Sequence, residues 1–242
     1  MRVKPALTLL LCTTWLLAAE FWQSKPYTEW TDKETQKIQT NSPWSKQVSV
    51  TVVGGRDPDA SRGRRGSAGA AGDLDSPLGS GGAGQHGQTQ DWGAGATAPN
   101  VPTTVTVSWR SALPVREAVA REKYGDASAT APDAKKMIDE PQKFYSIVVS
   151  GFPARLVRAG DKAKDAMLKN TSLSVKGRDP IAPADFQTGG NEQNAVVIFL
   201  FPRVAELSAD DKEVEFSTRL GSMVVKQRFH LKEMVFNGKL EL

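Results

Sequence analysis

The chain has 242 residues, a formal charge of +4, 39% hydrophobic residues and a single cysteine. That length supplies one sizeable domain or two small ones. So small a charge gives no overall drive toward nucleic acid or anionic lipid; one cysteine excludes a disulfide framework, and with two histidines besides it the chain is poorly supplied for a closed zinc site.

At the start, Arg2 and Lys4 precede an apolar run from Ala6 to Ala19, which Glu20 ends. A positive n-region, a short h-region and a small-residue end predict a secretory signal peptide over residues 1–19. The run falls short of the roughly 20 apolar residues that cross a bilayer. Cys12 lies inside it, so the mature chain carries no thiol, and loss of Arg2 and Lys4 lowers the charge to +2. Two alternatives stay open. Cys12 as an acylated lipoprotein cysteine would have Leu11 where a small residue is expected. An uncleaved N-terminal anchor is the other, because Leu16 or Leu17 stands two positions before Ala18 or Ala19 in place of a small residue. The expected location is extracytoplasmic, periplasmic or secreted, with membrane contact only through the N-terminal segment if it stays uncleaved.

Residues 20–53 form a first unit. Thr31 and Glu34 have capping-box spacing and predict a helix over Asp32 to Thr40, which Ser42-Pro43-Trp44 stops. Its apolar face is thin, with Ile38 following Trp30. Lys46 to Val53 reads as a strand with Val48, Val50 and Val52 on one face. From Gly54 to Asn100 the composition changes: thirteen of the 21 glycines fall here, and Leu74, Leu78 and Trp92 are the only large apolar residues. Such a segment cannot bury enough surface to offset the entropy of ordering it, which predicts disorder. Since alternating strands flank it, the insert reads as a hairpin loop grown long rather than an interdomain linker.

Residues 101–242 complete the same domain. Thr103 to Arg110 alternates as a half-buried strand, with Val105, Val107 and Trp109 on one face. Trp44 and Trp109, on either side of the insert, are candidate core residues. Pro114 opens a helix running to Tyr124, and Gly125 caps it. One helical turn is expected over Ala134 to Asp139. Phe144 to Ser150 is a strand ended by Gly151-Phe152-Pro153, Asp161 to Leu168 a helix and Ser172 to Lys176 a strand. The unbroken apolar run Val196 to Phe201 predicts a central strand covered on both faces.

Near the end of the chain, a turn at Gly221-Ser222 sets a register. It places Val214, Phe216, Thr218 and Leu220 opposite Phe229, Gln227, Val225 and Met223. On the other face it places Glu213, Glu215 and Ser217 opposite His230, Arg228 and Lys226. Asn237-Gly238 predicts a second hairpin, joining Met234–Phe236 to Lys239–Glu241 and building the final residues into the sheet. The expected fold is mainly β, α+β at the margin: an antiparallel sandwich-like or curled sheet with two or three short helices and a long disordered insert.

Motifs that carry chemistry are few. Gly82-Ala83-Gly84-Gln85-His86-Gly87 matches G-x-G-x-x-G but lacks the strand before it and the helix after that a dinucleotide site needs. Arg62-Gly63-Arg64-Arg65-Gly66 resembles single-strand-binding segments. Across the insert, however, four arginines meet five aspartates, so no convincing nucleic-acid site results. Lys226, Arg228, His230 and Lys232 form a candidate anion- or partner-binding face, and the plainer reading is a solvated face met by Glu213 and Glu215. The close acidic sets Asp57/Asp59, Asp73/Asp75 and Asp210/Asp211 lie in loop-like context without EF-hand spacing. Asn170-Thr171-Ser172 fits a glycosylation acceptor. No catalytic, cofactor-binding or metal-ligating residue is assigned, and no cofactor is implied.

The segments Trp30-Thr31-Asp32, Asn41–Trp44, Ser111–Ala118 and Asn237–Leu242 resemble those of uncharacterised exported bacterial proteins, in which a Gly-rich tract of variable length also follows the first strand. The resemblance spans most of the mature chain. It implies an extracytoplasmic bacterial protein and carries no catalytic residue with it.

The expected function is a non-enzymatic, extracytoplasmic β-rich binding or structural module, its partner an envelope protein or a cell-wall component. The alternative is a secreted hydrolase using carboxylate chemistry on glycan or peptide, and polyanion binding is a third reading. Deletion of Gly63 to Gly95 is expected to leave the melting temperature within a few degrees of the parent, because a solvated insert contributes closure entropy and no core. A loss of several degrees would contradict this.

Overall fold

A computed structural model describes residues 20–52, 101–154, 161–204, 206–221 and 223–242. Residues 1–19, expected to be a signal peptide, and the insert 54–100, with its Gly82–Gly87 match, its Arg62–Gly66 run and its aspartate pairs, lie outside the described residues.

The chain enters through a single turn, α1 (Phe21–Ser24), which buries Trp22, and then forms α2 (Asp32–Thr40). The capping box forms as the spacing predicts: Glu34 N donates to Thr31 Oγ1 at 3.3 Å, and Thr31 N donates to Glu34 Oε2 at 2.9 Å. Both bonds satisfy donors that a helix start leaves open. At the other end Ser42 Oγ donates to the Ile38 carbonyl at 2.7 Å, closing the helix as Pro43 turns the chain into Trp44.

Strands β1 (Ser45–Val52) and β2 (Val101–Trp109) pair antiparallel from Ser45↔Ser108 to Val52↔Val101. The two strands that flank the insert are therefore hydrogen-bonded neighbours, the arrangement of a hairpin. After β2, α3 (Leu113–Tyr124) begins with Pro114 in its first turn and ends at Gly125, whose φ of 55° suits a position that a side chain disfavours. Next, α4 (Pro132–Asp139) is two turns rather than one, because Pro132 starts it a residue pair earlier than Ala134.

Strand β3 (Phe144–Phe152) runs past its expected end. Gly151 adopts φ 88° and the pairing shifts between Ser150 and Phe152, so the glycine makes a bulge rather than a stop. A Cβ there would meet the Thr104 carbonyl oxygen at 3.2 Å. The remaining elements are α5 (Asp161–Lys169), β4 (Ser172–Val175), β5 (Asp185–Gly190), β6 (Ala195–Pro202), β7 (Glu213–Leu220), β8 (Met223–His230), β9 (Val235–Phe236) and β10 (Lys239–Leu240).

The fold is mainly β, and all strand pairs are antiparallel. One sheet has the order β1-β2-β3-β6-β5, a second β4-β7-β8, and β9-β10 is a ribbon of its own. The two large sheets bury their inner faces against each other. Val105, Val107, Ile147, Val149, Val197, Phe199 and Phe201 line one side, and Leu173, Val214, Phe216, Val225 and Phe229 the other. Phe199 and Phe201 both meet the Phe216 ring, with centroids 5.8 and 6.3 Å apart. At one side β8 lies beside β1, so the sandwich curls toward closure there. Helices α2 and α3 pack together, with α2 against β1 and β2.

The β7–β8 register matches the expected pairing residue for residue, from Glu213↔His230 to Leu220↔Met223. Gly221 takes φ 60° at the first turn position, and Ser222 lies outside the described residues. Two expectations change. Val196–Phe201 is central, between β3 and β5, but only Val197, Phe199 and Phe201 are fully buried, while Val196, Ile198 and Leu200 are half-buried. The final residues join no large sheet. Their ribbon turns at Asn237 (φ 50°) and Gly238 (φ 76°), as an Asn-Gly hairpin does, and docks on the core.

That docking is specific. Trp44 Nε1 donates to the Glu241 carbonyl at 2.9 Å, Arg203 Nη2 donates to the Leu242 main-chain oxygen at 2.6 Å, and the Leu242 side chain is buried. Deleting Lys239–Leu242 leaves the buried indole N–H unpaired and uncovers apolar surface, at a cost of about 3–5 kcal/mol. We expect soluble folded yield to fall sharply. A melting curve identical to the parent's would contradict this docking.

Candidate functional site

The basic residues singled out from the sequence are only partly brought together. Lys226, Arg228 and His230 project from the outer face of β8 and are exposed. Lys232 does not join them: the strand stops at His230, and Leu231–Glu233 is a 3-10 turn. Arg228 Nε donates to Glu215 Oε2 at 2.8 Å, His230 Nδ1 lies 3.8 Å from Glu213 Oε2, and Lys226 stands opposite Ser217. This is the geometry of a solvated face with paired charges. Asp211 is likewise engaged, pairing with Arg178 at 2.7 Å and accepting from Ser208 N at 2.8 Å. Among the described residues no group of three or more His, Cys, Asp or Glu side chains gathers to hold a metal ion.

A different set of residues surrounds a cavity of about 500 Å³. Its walls come from three regions far apart in the chain: Ser111 and Arg116 with Gln142 and Tyr145, Arg203 with Glu206–Ala209, and Leu240–Leu242. Arg116 projects from the first turn of α3. Its Nε donates to the Ser111 carbonyl at 3.1 Å, and its Nη1 reaches the carbonyls of Met137 at 3.4 Å, Glu140 at 3.2 Å and Ile138. The guanidinium thus caps the carbonyl end of α4, where the helix dipole favours a cation.

Arg203 stands just past β6, stacked on the Tyr145 ring with its guanidinium carbon 4.3 Å from the ring centroid. The Tyr145 hydroxyl accepts from Leu207 N at 3.1 Å, tying the Glu206–Ala209 segment to β3. Glu241 completes the wall. Its carbonyl is held by Trp44, and its Oε2 accepts from Leu113 N at 3.4 Å, at the start of α3. Glu206 is exposed and also lines the cavity. The cavity therefore presents two guanidinium groups and two carboxylates, together with the neutral polar groups of Ser111, Gln142 and Ser208.

The next residue along α3 behaves differently. Glu117 is 9% exposed, and its Oε2 has no hydrogen-bond partner among the described residues. Burial pushes its pKa up to about 7. The Arg116 guanidinium opposes that rise and the Glu241 carboxylate adds to it. Its charge, after burial, also helps raise the pKa of Tyr27, as does Asp139. Glu117 is not in the cavity wall. It lies inside the helical layer, where Ser128 Oγ and Thr35 Oγ1 are also buried without partners among the described residues.

Sequence reasoning missed Arg116, Arg203 and Glu241, because no spacing rule links three residues so far apart. The only local signal was Arg116 beside the helix-opening Pro114.

No family model matches the chain, and no match is found among curated proteins or solved structures. Among the described residues, no helix is long and apolar enough to cross a membrane.

Glu117 makes stability depend on pH with a definite sign. The unfolded carboxyl ionises near 4.5 and the folded one near 7. The folded state therefore loses stability as pH rises through that window, by about 2–3 kcal/mol, and stays level above it. Chemical denaturation at pH 5 and pH 8 is expected to show this difference in the parent. In Glu117→Gln it should be largely gone, and an unchanged pH dependence in that variant would contradict the assignment.

Proposed function

We propose that the chain is an extracytoplasmic, non-enzymatic β-rich module that binds an envelope protein or a cell-wall component through the Arg116–Arg203–Glu241 cavity. One observation carries the reading: a cavity of about 500 Å³, within the usual range of ligand pockets, lined by charged groups of both signs. Arg116 and Arg203 are each fixed by main-chain hydrogen bonds. Side chains already held in place lose little freedom when a ligand arrives. Two of the segments that resemble exported bacterial proteins, Ser111–Ala118 and Asn237–Leu242, contribute Ser111, Arg116, Leu240, Glu241 and Leu242 to its wall. Export itself rests on the layout of residues 1–19.

A carboxylate hydrolase is the weaker alternative. Such an enzyme needs an acid with a raised pKa facing a second carboxylate across the substrate. The one carboxyl group whose pKa rises toward neutrality among the described residues, Glu117, lies outside the cavity. Polyanion binding finds little support in a strand face where Arg228 pairs with Glu215 and His230 lies beside Glu213, with Lys226 opposite Ser217.

The test uses the exported protein, purified from the envelope fraction, with its N-terminus read by sequencing and expected to begin after Ala19. Chemical cross-linking in cells is expected to trap a partner in the parent. Arg203→Ala should lose that partner while keeping the parent's circular dichroism spectrum. A folded Arg203→Ala that retains the partner undiminished would refute the cavity as the binding site.

A further inference from the structure

We infer that the cavity takes a zwitterionic ligand of the amino-acid or short-peptide class, its carboxylate received by Arg116 and Arg203 and its ammonium by the cavity carboxylates. This rests on the cavity being the binding site.

The charge inventory carries the argument. Arg116, Arg203, Glu206 and Glu241 all line the cavity; burial and Arg203 disfavour the Arg116 charge, while Glu241 and Glu117 support it. A simple anion entering here gains attraction from two guanidiniums and meets repulsion from Glu206 and Glu241. A dianion such as phosphate doubles the attraction and the repulsion alike, so its extra charge brings no net advantage. A molecule with one charge of each sign gains from both sets, provided its charges are separated by a few bonds.

The orientation of the cations points the same way. Arg116 uses Nε and Nη1 on the Ser111 carbonyl and on the carbonyls at the end of α4. Among the described residues its Nη2 makes no hydrogen bond. Arg203 is held flat on Tyr145 and uses Nη2 on the Leu242 oxygen, and its other nitrogens make no hydrogen bond among the described residues. Planar guanidinium edges of this kind match a carboxylate. Gln142 donates through Nε2 to the Glu140 carbonyl at 2.8 Å, so its own amide oxygen stays available for a peptide N–H. The volume admits a ligand of a few residues, whether free, part of a cell-wall peptide or the end of a partner's chain.

The experiment titrates the full exported chain calorimetrically, at low ionic strength, with four probes: alanyl-alanine, its N-acetyl derivative, its C-terminal amide and inorganic phosphate. Free alanyl-alanine is expected to bind, and blocking either terminus should weaken it about tenfold or more. Arg203→Gln should weaken the free dipeptide to a similar extent. Glu241→Gln is the second variant: it should weaken the free dipeptide while the anionic N-acetyl form binds as well as before or better, a split that general damage to the fold would not produce. Equal binding of the free and blocked forms, or tighter binding of phosphate, overturns the zwitterion and leaves the cavity as a site. If no probe binds at millimolar concentration while Arg203→Ala still loses the cross-linked partner, the ligand class falls and the cavity reading stands. If that variant also keeps its partner, both fall.

Discussion

Trp44 and Trp109 form the junction on which the rest of the structure depends. Each is fully buried, and Trp109 N donates to the Trp44 carbonyl at 2.7 Å where β1 and β2 begin to pair. From that point Trp109 meets Phe229 of the second sheet edge-on at 5.4 Å and Tyr145 at 5.8 Å. Trp44 meets Trp22 of the N-terminal turn at 5.9 Å and Phe236 of the last ribbon at 6.3 Å. Aromatic pairs of this kind add about 0.5–1.5 kcal/mol each beyond the area they bury. Residues 20–242 contain no cysteine, so covalent staples play no part, and packing must hold the two sheets, the helical layer and the ribbon together. The Trp109 indole N–H has no partner among the described residues. An unsatisfied buried donor costs about 1–3 kcal/mol, and the packing of that ring must exceed it.

The same junction explains why the cavity exists where it does. Trp44 fixes the Glu241 backbone, and Glu241 then reaches the start of α3, the helix that carries Arg116. Arg203 closes the loop by holding Leu242 from the end of β6. Three distant segments thus meet because three hydrogen bonds, one of them from the Trp44 ring, bring the last ribbon to them. Glu117, one position beyond Arg116, faces the helical layer instead, as a step of one residue along a helix directs a side chain well away from its neighbour.

How much could be read in advance follows from the range of each rule. The β7–β8 register was legible residue by residue, since a glycine turn and strict alternation from Val214 to Phe229 admit one pairing that buries the apolar face. The α2 cap was legible for the same local reason. Strand β5 was not. It is an edge strand with two glycines, and only Phe186, packed against Phe199 at 6.0 Å, ties its side chains to the core. Gly151 read as a stop because a bulge and a strand end use the same residue type, and only the partner strand distinguishes them. The cavity was invisible because its charges sit on three segments with no shared period. Glu117 was invisible because a buried glutamate and a solvated one look alike in a helix.

The β1–β2 ladder has one more consequence. Its pairing persists to Val52↔Val101, so the ends of whatever connects those residues are already held side by side by the sheet. Sequence spliced between them meets a polymer penalty that grows only with the logarithm of its length, about 0.6 kcal/mol for each doubling. The hairpin tip is in this sense a graft point. A reporter domain whose own termini lie close together can be carried there without altering a single contact of the described core.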